Sequence, residues 1–330
     1  MNFYIEKSKE IVEKTNVSIS DILKLEDRQD QDIYLNLFKF CYENLKVNGR
    51  KFGIEPSFFF FYDKENHVNA GATCNNGNYI IYISSALVQK LNARLNVERT
   101  IFENERLSNY LELSKKISVS LENLMFQSSI LFTYYHELAH LIQKKEGNFS
   151  LNEISENLPF FIPEKHLLEY DADLNGCQFV LFHIMEYFEE LDNQNKNSEN
   201  LKNLLSLGLS SILITFLLFF NREFDENDKY VDEFYLDQKT HPHTIIRISY
   251  LIQHFQGVAQ ENGININIAE LLKETFLISE IFFNSNSFVK NCFDILNENL
   301  NEINYYTNLL FDEANKLDYL VMQKHNFFNE

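Results

Sequence analysis

Two histidines and a glutamate stand close together in residues 135–141, which read Tyr-His-Glu-Leu-Ala-His-Leu. If this segment is helical, His136 and His140 lie one turn apart on the same face, where both imidazoles can bind one metal ion. Glu137 lies beside them and can take a proton from a water molecule that the metal activates. The pattern predicts a hydrolytic metal site, and zinc suits two histidines, one further protein ligand and water.

The flanks of this motif favour a buried helix. Residues 128–134 and 141–142 are largely apolar, and the helical pattern runs over about residues 119–145. Two histidines and a glutamate inside such a helix need polar partners, because unpaired buried polar groups cost free energy. A metal ion would supply those partners, and a coincidental pattern without a metal is the alternative.

A second helix, beginning at Pro163, carries the candidates for the third ligand. Glu169 and Asp173 are four residues apart and share a face of an otherwise apolar helix. Two such acids are costly when buried unless one binds the metal and the other accepts a hydrogen bond from a ligand histidine. One acid of this pair is therefore predicted to bind the metal and the other to orient a ligand histidine. Asp171 is the weaker ligand candidate, and a solvated acidic face is the alternative.

Residues 239–251 form a third motif, which begins Lys-Thr-His-Pro-His-Thr. Thr240 can cap a helix that has Pro242 in its first turn, which would place Arg247 within two turns of His241. A histidine and a cation near a metal site could bind the oxyanion of an attacked carbonyl. Arg247 could instead pair with an acid of the site, or lie on the surface of a capped helix.

The remaining patterns predict a mainly helical α+β fold. Strand-like runs at residues 58–62 and 78–84 predict a small sheet, in which we expect 78–84 to be the edge strand. The small residues between them, in the stretch Asn69, Ala70, Gly71 and Ala72, would let a substrate backbone lie alongside the sheet. An ordinary hairpin is the alternative. We expect a helical N-terminal layer (1–50), a catalytic core (51–257) and a helical C-terminal layer (258–330), forming one compact unit.

Composition limits the function classes. The chain has 330 residues and a formal net charge of −19, which disfavours binding to nucleic acid or to anionic lipid. Its four cysteines are far apart and the N-terminus lacks a signal-peptide pattern, so a reducing cytoplasmic environment is expected.

Residues 204–220 form the most apolar run of the sequence. A buried core helix is the favoured interpretation, and a membrane segment is the alternative.

Taken in order, these motifs resemble those of gluzincin metallopeptidases of the HtpX and CaaX-protease type. The resemblance covers about residues 69–251 and includes the small-residue segment, the two metal-binding helices and the Thr-His-Pro segment. It implies a zincin-like metalloprotease fold with one zinc ion. It also implies site roles: His136, His140 and Glu169 as zinc ligands, Glu137 as general base, Asp173 as the acceptor behind a ligand histidine, His241 and Arg247 as transition-state or structural residues, and Asn69, Ala70, Gly71 and Ala72 at the substrate backbone.

Within that group, an acidic and mainly helical chain of this length is most similar to the Lit-type phage-exclusion peptidases. This likeness implies a cytoplasmic bacterial zinc endopeptidase with a role in phage defence and a restricted intracellular protein target, with elongation factor Tu as one such target. ImmA/IrrE-like regulatory peptidases are similar in their His-Glu-x-x-His and acidic motifs but match the Thr-His-Pro segment less well. A zinc-binding interaction protein without catalysis is the alternative from another functional class.

Overall fold

The computed structural model of the chain describes residues 1–64, 67–98, 101–147, 163–220, 233–236, 239–261, 263, 265–283 and 288–321. Within these residues the chain is mainly helical and contains a small three-stranded sheet, which confirms the predicted α+β class. The strands are β1 (Ser57–Tyr62), β2 (Ala70–Asn75) and β3 (Asn78–Ser84). The helices are α1 (Asn2–Lys14), α2 (Gln31–Phe52), α3 (Ser85–Leu91, continued by a π-helical turn at Asn92–Val97), α4 (Ser108–Ser114), α5 (Leu121–Gly147), α6 (Pro163–Glu190), α7 (Ser198–Phe220), α8 (Thr244–Glu261), α9 (Ile268–Phe282), α10 (Phe288–Glu298) and α11 (Leu300–Ala314).

The sheet has the order β1-β3-β2, with β1 parallel and β2 antiparallel to β3. The prediction that residues 78–84 form the edge strand is therefore wrong, because β3 lies in the centre. The outer side of β1 is partly covered, since the Leu23 backbone N–H donates to the Phe61 carbonyl over 2.9 Å. The other edge of the sheet is β2, the strand that carries the small residues.

Close packing on the sheet explains the glycine in β2. Gly71 lies opposite Tyr82 in the β2–β3 register. A Cβ atom on Gly71 would come within 2.5 Å of the Tyr82 hydroxyl, so the aromatic ring occupies the space that a side chain would need. Cross-strand packing of this ring stabilises a strand whose small residues have little intrinsic preference for a sheet.

Helix α5 lies at the centre of the fold, where it contacts β2, β3, α6 and α7. Residues 132–143 of this helix are all buried, as the apolar flanks of the motif predict. The observed bounds of α5 lie close to the predicted span, and α6 begins at the predicted Pro163. The two helices that carry the candidate ligands therefore pack directly against each other in the core.

A glycine lets α6 approach α5 closely. A Cβ atom on Gly176 would lie 2.8 Å from the Phe132 backbone oxygen and 3.0 Å from the Phe132 ring.

We expect Gly176→Ala to lower the free energy of unfolding by about 1–3 kcal/mol through overpacking, as measured by urea denaturation. Gly257 of α8 is the matched control, because a Cβ atom there would meet nothing within 4 Å. Gly257→Ala should be neutral or stabilising by up to about 1 kcal/mol, and equal effects of the two substitutions would contradict the packing argument.

Among the described residues, Ser198–Phe219 is the helix long and apolar enough to cross a membrane. In the structure, 94% of its most apolar window is buried inside the protein. Two of its hydroxyls bond within the helix: Ser211 donates to the Leu207 carbonyl over 2.7 Å and Thr215 to the Ser211 carbonyl over 2.8 Å. This burial favours the core-helix interpretation of residues 204–220 and is consistent with a soluble protein.

The helices of the predicted C-terminal layer pack directly on the core. Helix α9 contacts α7 and α8, and α11 contacts α6 and α8. After α11, the chain returns to the core, where Leu320 and Val321 are fully buried. The chain near residue 321 is therefore close to the helices that carry the candidate ligands.

Candidate metal centre

Three candidate ligand atoms converge between α5 and α6. The Nε2 atoms of His136 and His140 are 3.1 Å apart. The Glu169 carboxylate lies 3.6 Å from His136 Nε2 through Oε2 and 3.3 Å from His140 Nε2 through Oε1. The three side chains are buried or nearly so, and their ligand atoms all lie within 4.8 Å of one another. The structure thus brings together the three residues predicted to bind the metal.

Hydrogen-bond partners indicate where the imidazole protons lie. His136 Nδ1 faces Asp173 Oδ1 at 3.0 Å, although without the alignment of a regular hydrogen bond. His140 Nδ1 lies 2.9 Å from Gln143 Oε1. Both partners are acceptors, so each ring is expected to carry its proton on Nδ1 and to present a lone pair at Nε2.

The resulting group of donors fits a cation. Two nitrogen lone pairs and a carboxylate facing one another repel unless a proton or a metal ion lies between them. Tetrahedral zinc with ligands at about 2.0–2.1 Å separates those ligands by about 3.3 Å, close to the observed spacings. Glu169 Oε2 is buried and accepts no hydrogen bond from the described residues, although the Arg247 guanidinium lies 3.4 Å away. The cluster could therefore hold a metal ion.

The charge state of Glu169 suits a metal ligand. Burial raises the pKa of this carboxyl, but in the absence of a metal the protonated forms of His241 and His140 lower it by more, so its pKa lies well below the usual range. His241 Nε2 is 3.3 Å from Glu169 Oε1, and the His241 side chain is 57% exposed. Glu169 is thus an anion at the inner end of the site, and His241 lies between that anion and solvent.

Asp173 is held by a network behind His136. Arg247 donates to both carboxylate oxygens, through Nε over 2.8 Å and Nη2 over 2.6 Å, and the Tyr250 hydroxyl donates to Oδ2. Burial raises the pKa of Asp173, but Arg247 and His136 lower it by more, so the carboxyl is ionised. The Arg247 guanidinium also stacks over the Phe216 ring, with its central carbon 4.1 Å from the ring centroid. The network fixes the carboxylate that orients His136.

The structure distinguishes the three interpretations of Arg247. Its Nε and Nη2 atoms are bound to Asp173 and its side chain is only 13% exposed. This favours the ion pair with an acid of the site over a surface position and over direct binding of an oxyanion.

The predicted cap of α8 is wrong. Helix α8 begins at Thr244, and the imidazole of His243 accepts a hydrogen bond from the Ile245 backbone N–H over 3.2 Å. The Thr240 hydroxyl instead lies 3.0 Å from His241 Nδ1. His243 is the better cap because its ring is buried, and this burial lowers its pKa to about 4 and keeps it neutral.

The edge strand contains most of the predicted substrate-binding segment, of which Ala70 is partly exposed and Gly71 and Ala72 are buried. The Asn69 carbonyl accepts from the Ser84 backbone N–H over 2.8 Å, so this pair bonds across β2 and β3. Since backbone groups alternate in an antiparallel pair, Gly71 also faces β3, and Ala70 and Ala72 face outward. The Ala72 carbonyl accepts a hydrogen bond from Lys144 of α5, which confirms its direction. Ala70 and Ala72 are therefore the predicted residues whose backbone faces away from β3.

Two polar residues of the centre were not predicted. Gln143 orients His140, and Asp171, considered only as a weak ligand candidate, binds Gln143 Nε2 over 2.6 Å. Gln143 lies three residues after His140, on the same side of the helix, and this spacing is the signal that could have identified it. Glu137, the predicted general base, is only 7% exposed and lies directly after His136 on α5.

His166, one turn before Glu169, is a fully buried core histidine. Its Nε2 lies 2.8 Å from the Lys239 carbonyl and its Nδ1 lies 2.7 Å from the Tyr306 hydroxyl. Burial lowers its pKa to about 4, so the ring is neutral and bridges α6, α11 and the segment before His241. It helps to fix that segment beside Glu169.

No protein-family model, curated protein or solved structure matches the chain. The function is therefore argued from the geometry and chemistry of the centre itself.

Proposed function

We propose that the protein is a zinc-dependent endopeptidase with a zincin-like fold. The observation that carries this proposal is the convergence of His136 Nε2, His140 Nε2 and the Glu169 carboxylate, with Glu137 next to the first ligand. Two histidines and a glutamate form a ligand set of catalytic zinc sites. Calcium and magnesium prefer oxygen ligands, so the two nitrogens favour zinc over them.

The surrounding residues suit peptide hydrolysis. When bound, zinc supplies Lewis acidity, which polarises a carbonyl and makes water easier to deprotonate. Glu137 takes the proton of the attacking water and passes it to the leaving amine. We assign to His241, which is exposed beside Glu169, a hydrogen bond to the oxyanion of the attacked carbonyl. Arg247 acts by positioning, because it holds Asp173 and through it His136.

An extended peptide is the substrate that the edge strand favours. The outward-facing backbone of Ala70 is partly exposed and can pair with a substrate chain, whereas Ala72 is 1% exposed and must first be uncovered. Such main-chain hydrogen bonds bind many sequences. Lys144 already donates to the Ala72 carbonyl and must yield that acceptor if a substrate N–H takes it. The proximity of β2 to α5 supports this direction of approach.

The target and the biological role rest on the resemblance of the motifs to phage-exclusion peptidases. We propose a restricted cytoplasmic protein target, with elongation factor Tu as the first substrate to test and phage defence as the role. The acidic net charge of −19 further supports a protein target rather than nucleic acid.

Metal analysis combined with proteolysis tests the proposal. The purified chain should contain about one zinc ion, and His140→Ala should lose it. The wild type should produce new fragments from bacterial lysate or from purified elongation factor Tu, and His140→Ala should not. His183→Ala is the matched control, because His183 lies on α6 but contacts Gln127, 2.9 Å away, rather than the centre.

The outcomes separate two functions. Absence of bound zinc from the wild type would contradict the metal site itself. Zinc that binds through His140 without any proteolysis would favour the other candidate, a zinc-stabilised interaction protein. The buried ligand cluster is common to both, so only the cleavage assay distinguishes them.

A further inference from the structure

Behind His140 lies a chain of hydrogen bonds separate from the Asp173 network. His140 Nδ1 faces Gln143 Oε1 at 2.9 Å. Gln143 Nε2 donates to the Leu168 carbonyl over 3.0 Å and to Asp171 Oδ2 over 2.6 Å. The same Asp171 oxygen accepts the Val321 backbone N–H over 2.9 Å. This series of hydrogen bonds thus joins α5, α6 and the buried polypeptide segment near residue 321.

We propose that Gln143 and Asp171 form a relay that positions His140 and couples metal binding to the docking of residues 317–321. The relay is defined as Gln143, Asp171 and the Val321 backbone N–H. This inference rests on the proposed metal site and adds a positioning role for two residues and a means by which a distant segment affects the site.

The relay has one favoured arrangement because of its donors and acceptors. The Leu168 carbonyl oxygen can only accept a hydrogen bond, so the Gln143 atom beside it must belong to the NH2 group. The Gln143 carbonyl oxygen must then face His140, which requires the proton of that ring to be on Nδ1 and leaves Nε2 free to bind a metal. Gln143 and Asp171 are essentially inaccessible to solvent, so water does not compete for these bonds.

Residues 317–321 dock on the protein through more than one contact. Leu320 and Val321 are buried in the core, and the Tyr319 hydroxyl donates to Glu164 in the first turn of α6 over 3.1 Å. Docking of this segment supplies the Val321 N–H to Asp171 and so holds the carboxylate toward Gln143. Because such coupling is reciprocal, a metal that fixes His140 should also stabilise the docked segment.

The geometry assigns Asp171 to the relay rather than to the metal. Its Oδ2 atom accepts from Gln143 and from Val321, and Asp171 is not part of the ligand cluster. The two ligand histidines are thus oriented by different kinds of hydrogen-bond partner. His136 faces an ionised carboxylate, whereas His140 faces a neutral amide that is itself held by a carboxylate.

Zinc affinity tests the positioning role. Gln143→Leu removes the amide at similar size and should weaken zinc binding about 10–100-fold in competition with a chromophoric chelator. Gln178→Leu is the matched control, because it removes another buried glutamine that bonds a histidine, His254, over 2.6 Å but lies outside the relay. It should bind zinc like the wild type. Asp171→Asn keeps an acceptor and should lose less affinity than Asp171→Leu.

Hydrogen exchange tests the coupling. Zinc should slow amide exchange of peptides that cover residues 317–321 in the wild type and in Gln178→Leu, but not in Gln143→Leu. Circular dichroism without metal establishes that each variant is folded.

A folded Gln143→Leu with wild-type zinc affinity, or unchanged exchange at 317–321 in the wild type, would overturn the relay. A wild type without zinc affinity would overturn it together with the metal site. Relay-dependent zinc binding without proteolysis would sustain the relay and overturn only the proposed catalysis.

Discussion

The Glu137→Gln variant is expected to lose about 10²–10⁴-fold in the rate of peptide hydrolysis while it retains zinc. Gln has nearly the size and shape of Glu but cannot take a proton from the attacking water. Glu137 follows His136 directly on α5 and is only 7% exposed. Its replacement leaves the three candidate ligands in place, so the loss should appear in turnover and not in metal content. Single-turnover cleavage and metal analysis of the same preparation measure both.

Glu122→Gln is the control for this substitution. Glu122 lies in the first turn of the same helix, α5, far along the chain from the metal ligands. Its replacement should leave turnover within experimental error of the wild type. If Glu137→Gln kept the wild-type rate on a substrate that His140→Ala cannot cleave, the role of Glu137 as general base would be refuted.

The candidate site was largely predictable because its main signals are local. Each pair of residues, His136 with His140 and Glu169 with Asp173, shares a helix, and within a helix spacing fixes the direction of side chains. The bond between Gln143 and Asp171 was not predictable in the same way. The two residues lie on different helices, and only tertiary packing brings them to 2.6 Å. In the sequence, Asp171 resembles a solvated surface acid or a second candidate for the third metal ligand.

The errors in the fold have physical reasons. The order of strands depends on contacts between distant segments, and β2 reads as a connection because Ala70, Gly71 and Ala72 have low β-propensity. Pairing with β3 outweighs that propensity, since Tyr82 fills the space over Gly71. At α8, two residues could serve as a cap, and burial of His243 beside the first turn favours it over the exposed Thr240 segment.

Arg247→Met should be the most destabilising of these substitutions, lowering the free energy of unfolding by about 3–5 kcal/mol. The Arg247 side chain is only 13% exposed, and Asp173 is fully inaccessible. Methionine can still pack near Phe216, but it leaves the Asp173 carboxylate in the core without its cation. Urea denaturation at neutral pH, in the absence of metal, measures the loss.

The pH dependence of this loss gives a second test. In the wild type, the pKa of Asp173 is lowered, so its contribution to stability is present above the pKa of the unfolded chain and is lost as pH falls through the folded pKa. Without Arg247, burial dominates and raises the pKa of Asp173 relative to the wild type. The variant then protonates Asp173 first, which relieves the buried charge. The difference in unfolding free energy between wild type and Arg247→Met should therefore shrink as the pH is lowered toward the acid range.

Arg28→Met provides a matched control for both measurements. Arg28 also pairs with an aspartate, Asp30, over 2.8 Å and also stacks on a ring, that of Tyr34, but about a quarter of each charged side chain is exposed. Solvent screening limits such a pair to about 1 kcal/mol or less, so this variant should be only slightly destabilised. If Arg28→Met and Arg247→Met were equally destabilised, burial would not be the cause of the large effect. The Asp173 network would then contribute no more than a surface ion pair, and a rigid support for His136 would have to come from elsewhere.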